Sequence, residues 1–381
     1  TWSVEDSPLH MIVPSYYHRA DCAGRYTNGS GCGNELATER PMVRKLILDS
    51  LRYWVEEYHV DGFRFDLMAL MDYETAREIE LRLHAIEPSL LLYGEPWAGG
   101  LSGLSSHRMF TKGRQRGLKI GFFNDGFRNA IKGDNDGVRR GFATGAGGCG
   151  RAIERGVVGG IPYSADIADF ATEPGECINY VSCHDNLTLW DKIARSVPLD
   201  SEEDRIKMDL LAQAIVMTSQ GIPFIEGGAE MLRTKGGHCN SYRAGDAINR
   251  FDWVRKLDYA EVFDYYRGLI QLRRAHRAFR MCSAEAIRRS LRFLPAPADN
   301  VVAFMLDGAS CGDEWDKIVV VYNPNRQDVR IDLPIEGEWK VVVGGASAGV
   351  EPLDPDLFGL RTYEGGAAVV AKAISTTVLH T

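Results

Sequence analysis

The sequence predicts an α/β fold in which short parallel strands alternate with helices, as in a β/α barrel, followed by an antiparallel β-sandwich. Three observations lead there. Apolar runs that read as strands end in acidic residues at Asp66, Glu95 and Asp185. Stretches of helical periodicity lie between them. Beyond about residue 282 the chain breaks into short alternating runs, with turn signals roughly every ten residues.

The run Asp61-Gly62-Phe63-Arg64-Phe65-Asp66-Leu67-Met68 sets the argument. As a strand it alternates, so Gly62, Arg64 and Asp66 share one face and Phe63, Phe65 and Leu67 the other. The aromatic face can pack under helices. The opposite face puts a guanidinium beside a carboxylate, and an isolated Arg-x-Asp is ordinarily a structural ion pair. Two later stretches change the weighting: Leu90-Leu91-Leu92-Tyr93-Gly94-Glu95-Pro96-Trp97 and Asn179-Tyr180-Val181-Ser182-Cys183-His184-Asp185-Asn186. One βα unit takes roughly 30 residues, since eight take about 250. Glu95 lies about one unit beyond Asp66. Asp185 follows after one further strand and a long glycine-rich insertion. Acids at equivalent strand ends gather at the rim where barrel enzymes keep their chemistry. Paired carboxylates there suggest glycoside hydrolysis.

In chain order, residues 1–35 read as loop, with Trp2, Tyr16 and Tyr17 placed either to stack on sugar rings or to pack the loop down. A helix follows, with Thr38 as its expected N-cap and Pro41 in its first turn. Val43, Leu46, Ile47, Leu51, Trp54 and Tyr58 recur at helical spacing and are expected in the core. Five strands are expected, at 62–66, 90–95, 119–123, 178–183 and 222–225. Residues 73–87 form a helix facing inward through Ala76, Ile79, Leu83 and Ile86. Asp125 is either one more rim acid or the cap of a helix at 128–132. Residues 133–160 are glycine-dense, leave little to bury, and are expected to form a mobile surface loop. Helices at 202–218 and 258–279 complete this part, the second inward through Val262, Tyr266, Leu269 and Ile270. Strands at 301–306, 317–322, 329–333 and 339–343 build the sandwich. The expected domains are 1–282 and 283–381.

The 381 residues carry a net charge of −8 with no Lys/Arg run. That argues against nucleic acid or an anionic membrane surface as partner. No apolar run reaches the roughly 18 residues of a membrane span. The eight cysteines are scattered, without Cys-x-x-Cys. They read as reduced, buried thiols, with Cys22 and Cys32 as the one pair spaced to bridge a loop. No acidic cluster has recognisable calcium spacing, so no metal or other cofactor is expected.

Residues 61–68, 93–97 and 181–186 resemble three of the four short regions that mark the α-amylase superfamily of glycoside hydrolases. Tyr26-Thr27-Asn28-Gly29-Ser30-Gly31-Cys32-Gly33-Asn34-Glu35, residues 181–191, Leu232-Arg233-Thr234-Lys235-Gly236-Gly237 and Asn240-Ser241-Tyr242 are similar to type I pullulanases. The likeness is strong to about residue 255 and weaker beyond. It implies strands 4 to 8 of a (β/α)8 TIM barrel, with the sequence beginning after the third strand. The superfamily's first marker region, ending in Asn-His, is missing, as is the family's Tyr-rich motif. The resemblance also implies roles. Asp66 would be the nucleophile, Glu95 the general acid and base, and Asp185 the holder of the sugar's 2- and 3-hydroxyls. Arg64, His184, Trp97 and Asn186 would bind substrate. The reaction would be retaining cleavage of α-1,6 branch linkages in a glucan, by a monomer at full length, with the Asp66 and Glu95 carboxyls about 5 to 5.5 Å apart. Gly228-Ala229-Glu230 departs from the family's Gly-Glu-Glu, and Glu226 is unusual there. An isoamylase or glycogen-debranching relative is the alternative enzyme. A fragment that at most binds glucan is the alternative without catalysis.

Overall fold

The computed structural model describes residues 3–295, 298, 300–333, 335–363 and 366–381. Trp2 lies outside them. The described helices are α1 (Pro8–Ile12), α2 (Pro41–Tyr58), α3 (Tyr73–Ile86), α4 (Asp125–Lys132), α5 (Gly150–Val157), α6 (Leu189–Ser196), α7 (Glu202–Thr218), α8 (Asp246–Asn249), α9 (Arg255–Asp258), α10 (Ala260–Ala275) and α11 (Ala284–Ser290). Strands β1 (Gly62–Phe65), β2 (Leu91–Gly94), β3 (Ile120–Phe123), β4 (Cys177–Asn179) and β5 (Ile222–Pro223) form one sheet in that order. The first four pair in parallel, with Arg64 opposite Tyr93 and Phe122 opposite Cys177. The strand expected to run to Cys183 stops at Asn179, and Tyr180 to Ser182 continue as buried irregular chain.

The remaining strands are β6 (Leu291–Phe293), β7 (Val302–Asp307), β8 (Lys317–Asn323), β9 (Val329–Leu333), β10 (Lys340–Gly344), β11 (Ser347–Ala348), β12 (Arg361–Tyr363), β13 (Gly366–Ala371) and β14 (Ser375–His380). They make a six-stranded sheet, β11-β10-β14-β8-β7-β6, and a three-stranded one, β12-β13-β9. All of their recorded pairings are antiparallel. An α/β portion is thus followed by a β portion.

The chain forms two compact units: Thr1–Phe123 with Phe170–Ile178, and Asn124–Asp169 with Asn179–Thr381. In the first, Phe63 and Phe65 pack toward a core of Leu48, Val55, Ile79, Leu83, Leu92 and Phe122. Asp72 caps α3 by accepting from Thr75 N at 3.2 Å, and it takes Thr38 Oγ1 at 2.8 Å and Arg44 Nη2 at 3.0 Å. Thr38 therefore does not cap α2, whose N-cap is Arg40, ahead of Pro41 at N1. The expected α2 stripe is only partly buried. Val43, Leu48 and Val55 are inside, but Leu46, Trp54 and Tyr58 are 44%, 44% and 57% exposed. No described residue of this unit covers that face. Ile86, at the last turn of α3, is exposed as well.

In the second unit, α7 is buried along most of its length and packs against α10. Its core is continuous with one face of the six-stranded sheet, through Ile215, Leu269, Ile318, Val320 and Val378. Thr218 and Tyr322 hydroxyls meet at 2.6 Å. Buried Arg273 donates to the carbonyls of Met217, Ser219 and Gly221 at 2.6–2.9 Å, closing the turn between α7 and β5. Ile270, expected inward, is 39% exposed. The segment 133–160 is not a loose loop. Phe142, Ala143, Ile153 and Val157 are buried, and a Cβ on Gly156 would meet the Phe127 ring at 2.0 Å. Few side chains suffice there because backbone packs directly on an aromatic face. Asn124, rather than Asp125, caps α4 by accepting from Phe127 N at 3.0 Å.

All eight cysteines are free, Cys22 and Cys32 included, and only Cys177 is fully buried; Cys22, Cys32, Cys239 and Cys282 are exposed. The expectation of buried thiols fails because four of them sit in loops at the surface. No helix of the described residues is long and apolar enough to cross a membrane.

Asp209 on α7 is buried and accepts the Tyr266 hydroxyl of α10 at 2.6 Å. Burial raises its carboxyl to about 7, against the lowering effect of that bond. The unfolded value is about 3.9. The folded state therefore holds the extra proton between about pH 4 and 7, and stability falls as pH rises through that window. Asp209→Asn should flatten this part of the curve. Thermal melts at pH 5 and 8 should show the variant gaining on the parent by several degrees at the higher pH. Parallel curves would refute the assignment.

Candidate active site

Arg64, Asp66, Glu95 and Trp97 stand at the end of a strand or just past it, whereas His184, Asp185 and Asn186 follow the end of β4 by five to seven residues. In the first unit, Arg64 is on β1 and Glu95 directly follows β2. The Glu95 N–H extends the ladder by donating to Phe65 O at 3.1 Å. One guanidinium holds both candidate carboxylates: Arg64 Nη1 donates to Asp66 Oδ1, and Nη2 to Glu95 Oε1 at 2.7 Å. The two acids differ in setting. Glu95's side chain is 7% exposed and Asp66's is 69% exposed. Leu67 takes φ 42° and ψ 50°, a left-handed conformation that costs a side-chain-bearing residue about 1 kcal/mol or more. That turn aims its N–H at Glu95 Oε2, 2.9 Å away. Trp97 is half-buried two residues on. Asp66, Arg64 and Glu95 are therefore one cluster.

In the second unit, His184 and Asp185 are largely exposed neighbours, Nε2 to Oδ2 at 3.7 Å. Buried Lys235 donates to His184 O at 2.7 Å. Asn186, at φ 66°, is a residue type that tolerates the left-handed region. Its Nδ2 donates to Asp136 Oδ2 at 2.7 Å, and Leu187 N reaches Asp136 Oδ1 at 3.1 Å. One donor of the Asn186 amide thereby ties its loop to the segment that carries Asp136. Lys192, buried on α6, holds the opposing segment through Asp134 Oδ1 at 2.8 Å, Gly137 O at 3.0 Å and Arg139 O at 2.8 Å. Asp191 accepts from Lys235 N at 2.8 Å, Gly237 N at 3.2 Å and Thr234 Oγ1.

Electrostatics single out two more groups in this unit. Burial pushes the Lys132 ammonium down to about 8, and the Arg128 charge adds to it. Burial raises the Glu226 carboxyl, opposed by the Ser182 hydroxyl and by Lys235, Arg233 and Lys132. Among the described residues no three His, Cys, Asp or Glu groups cluster closely enough to hold a metal ion.

Sequence reasoning missed Asp136, Lys192, Asp191 and Lys235 as organisers of the loop around Asp185. Two of them lay inside the stretches 181–191 and 232–237, whose likeness to pullulanases was legible, but nothing local says that Asp191 holds the backbone at Lys235. Asp136 lay in the stretch expected to be mobile. The packing alternative for Tyr16 fits its contact with Arg40, whose guanidinium lies 5.3 Å from the ring centroid.

Residues 287–347 match a family profile described as "Pullulanase, all-beta domain". A pullulanase of Bacillus subtilis (strain 168) is 37% identical over 377 residues, 99% of this chain and 51% of the relative. The solved pullulanase from Bacillus acidopullulyticus superposes with a TM-score of 0.93 at 51% identity, over 99% of this chain and 45% of that one. A pullulanase from Paenibacillus barengoltzii, solved in complex with maltohexaose and α-cyclodextrin, superposes with a TM-score of 0.89 at 41% identity, over 98% of this chain and 56% of that one. This chain thus spans about half the length of the relatives it matches. Along 99% of its length, then, this chain is similar to pullulanases in sequence and in fold.

Proposed function

We propose that this chain carries catalytic groups of a hydrolase that cleaves α-1,6 branch linkages in pullulan, starch or glycogen-type glucans with retention of configuration. The observation that carries the reading is the Arg64 guanidinium shared between Asp66 and Glu95. Arg64 gathers the two carboxylates on one guanidinium, so that a nucleophile and a proton donor can act on one glycosidic bond. Glu95, shielded from water on the neighbouring strand, protonates the leaving oxygen and later draws a proton from water. Asp185 binds the 2- and 3-hydroxyls of the distorted sugar, with His184 and Trp97 as further contacts. Asn186 serves that region by anchoring its loop to Asp136. Glucan as substrate is supported by the relative solved with maltohexaose and α-cyclodextrin.

The parallel strands are proposed as strands 4 to 8 of a (β/α)8 barrel, with a boundary near residue 282 to the β-sandwich. Support comes from the strand order, from acids at strand ends, and from the all-β profile starting at 287.

Pullulan incubated with an active form of the enzyme should yield maltotriose, and proton NMR of the first product should show the α-anomer. A β-anomer overturns the assignment of Asp66. Asp66→Asn and Glu95→Gln should each lower kcat on pullulan by at least 1,000-fold with the fold intact by circular dichroism. Arg64→Ala removes the donor that the two carboxylates share, and a loss of at least 100-fold is expected. Residues 1–381 alone should release no reducing sugar and should self-associate, because Trp54, Tyr58 and Leu46 lie exposed. Joining them to the three preceding βα units of a relative should restore both solubility and cleavage. An active, monomeric 1–381 would refute the partial-barrel reading.

A further inference from the structure

We infer that Arg19, with Glu35 and Ser102, is a positioning device for the proton donor Glu95, acting through the loop that follows β2. The inference rests on the hydrolase reading above and adds to it residues that touch neither Asp66 nor Glu95.

The geometry lies wholly within the first unit. Arg19 is buried, and all five of its N–H donors are used. Nε and Nη2 fork onto Glu39 at 3.2 and 2.7 Å, and Nη1 reaches Glu35 Oε2 at 2.8 Å and Ser102 Oγ at 3.3 Å. Nη2 also donates to Leu70 O at 3.2 Å. The Glu35 side chain is 0% exposed and accepts from Arg19, from Ser102 Oγ at 2.7 Å, from Gly103 N at 2.7 Å and from the Thr27 hydroxyl. Burial would raise the Glu39 carboxyl, but the bonds and charge of Arg19, with the Glu39 backbone N–H and Arg108, together hold it below its usual value.

Three loops therefore meet on one guanidinium. One is the N-terminal loop containing Thr27, Glu35 and Glu39. The second follows β1, where Leu70 comes four residues after Asp66. The third follows β2, where Ser102 and Gly103 come shortly after Glu95 and Trp97. The first and third also interlock through backbone. Gly100 N donates to Gly29 O at 2.8 Å. A Cβ on Gly99 would meet Ser30 O at 2.2 Å, and one on Gly29 would meet Glu35 Oε2 at 2.3 Å. Gly99 lets the two loops touch backbone to backbone, and Gly29 leaves room for the Glu35 carboxylate.

A buried ion cluster of this kind does not repay its desolvation in stability alone. What it supplies is a fixed distance between loops. Glu95 must stay on both Arg64 Nη2 and Leu67 N, so a slip of the loop beyond it misplaces the donor. Misplacement of about 1 Å costs on the order of 100-fold in rate. Lysine cannot replace Arg19, since it offers three donors from one point rather than a planar five-donor fork.

The test uses the full-length protein, with Arg19→Lys and the milder Ser102→Ala. Two substrates separate positioning from general damage. Pullulan needs a proton on its leaving oxygen. α-Maltosyl fluoride with azide needs neither a proton donor nor a base, since fluoride leaves unaided and azide attacks as an anion. Arg19→Lys should lower kcat on pullulan at least 10-fold with KM changed less than threefold, and should leave turnover of the fluoride with azide within twofold. Ser102→Ala should show the same selectivity at about threefold, and it decides the question should Arg19→Lys fail to fold. Equal losses on both substrates, or no loss on either, overturn the inference. An unsubstituted enzyme that turns over neither substrate sinks the hydrolase reading itself, a result distinct from either.

Discussion

A charge taken out of water has to be met by partners, and most of the local architecture around the candidate site is the answer to that requirement. Arg64 is the centre of it. Its two terminal nitrogens hold carboxylates from two adjacent strands, so the ion pair crosses the sheet instead of staying within one strand. Strand pairing brings Glu95 level with the end of β1, and the left-handed turn at Leu67 then supplies a second donor to it. The strain at Leu67 persists because the ladder on one side and Glu95 on the other over-determine it.

The same logic recurs away from Arg64. Arg19 fastens three loops in the first unit by spending every donor it has. Lys192 and Asp191 fasten the loops around Asp185 in the second, one by donating to carbonyls and the other by accepting from amides. Arg273 closes the turn into β5 in the same way. Loop backbone has many unsatisfied carbonyls and amides, and one buried ion can satisfy several of them at once. Exposed acids such as Asp66 and Asp185 can then sit on loops that do not drift.

An α/β portion followed by a β portion was legible because it depends on short-range pattern. Alternation in 62–66 and the acid closing each run need only neighbouring residues, and so does the turn-rich rhythm after residue 282. Errors arose where a local pattern had to stand for a distant partner. Thr38 resembles a cap but is claimed by Asp72. The glycine-dense stretch looks empty, yet Gly156 lies against Phe127 and Asp136 holds Asn186. The α2 stripe reads as core from its spacing, but spacing cannot say whether a neighbour is present to cover it.

By itself the sequence determined the strand-and-helix alternation, the β portion that follows, and the acids that close the apolar runs. Those follow from periodicities of two and 3.6 residues and from the chemistry of carboxylates. The tertiary structure alone decided that one arginine serves both Asp66 and Glu95, that Asn186 is committed to Asp136, and that Arg19 gathers three loops. The reason is desolvation. Which groups compensate a buried charge is settled by chain that may be adjacent in space while dozens of residues away in sequence, and no local window contains that information.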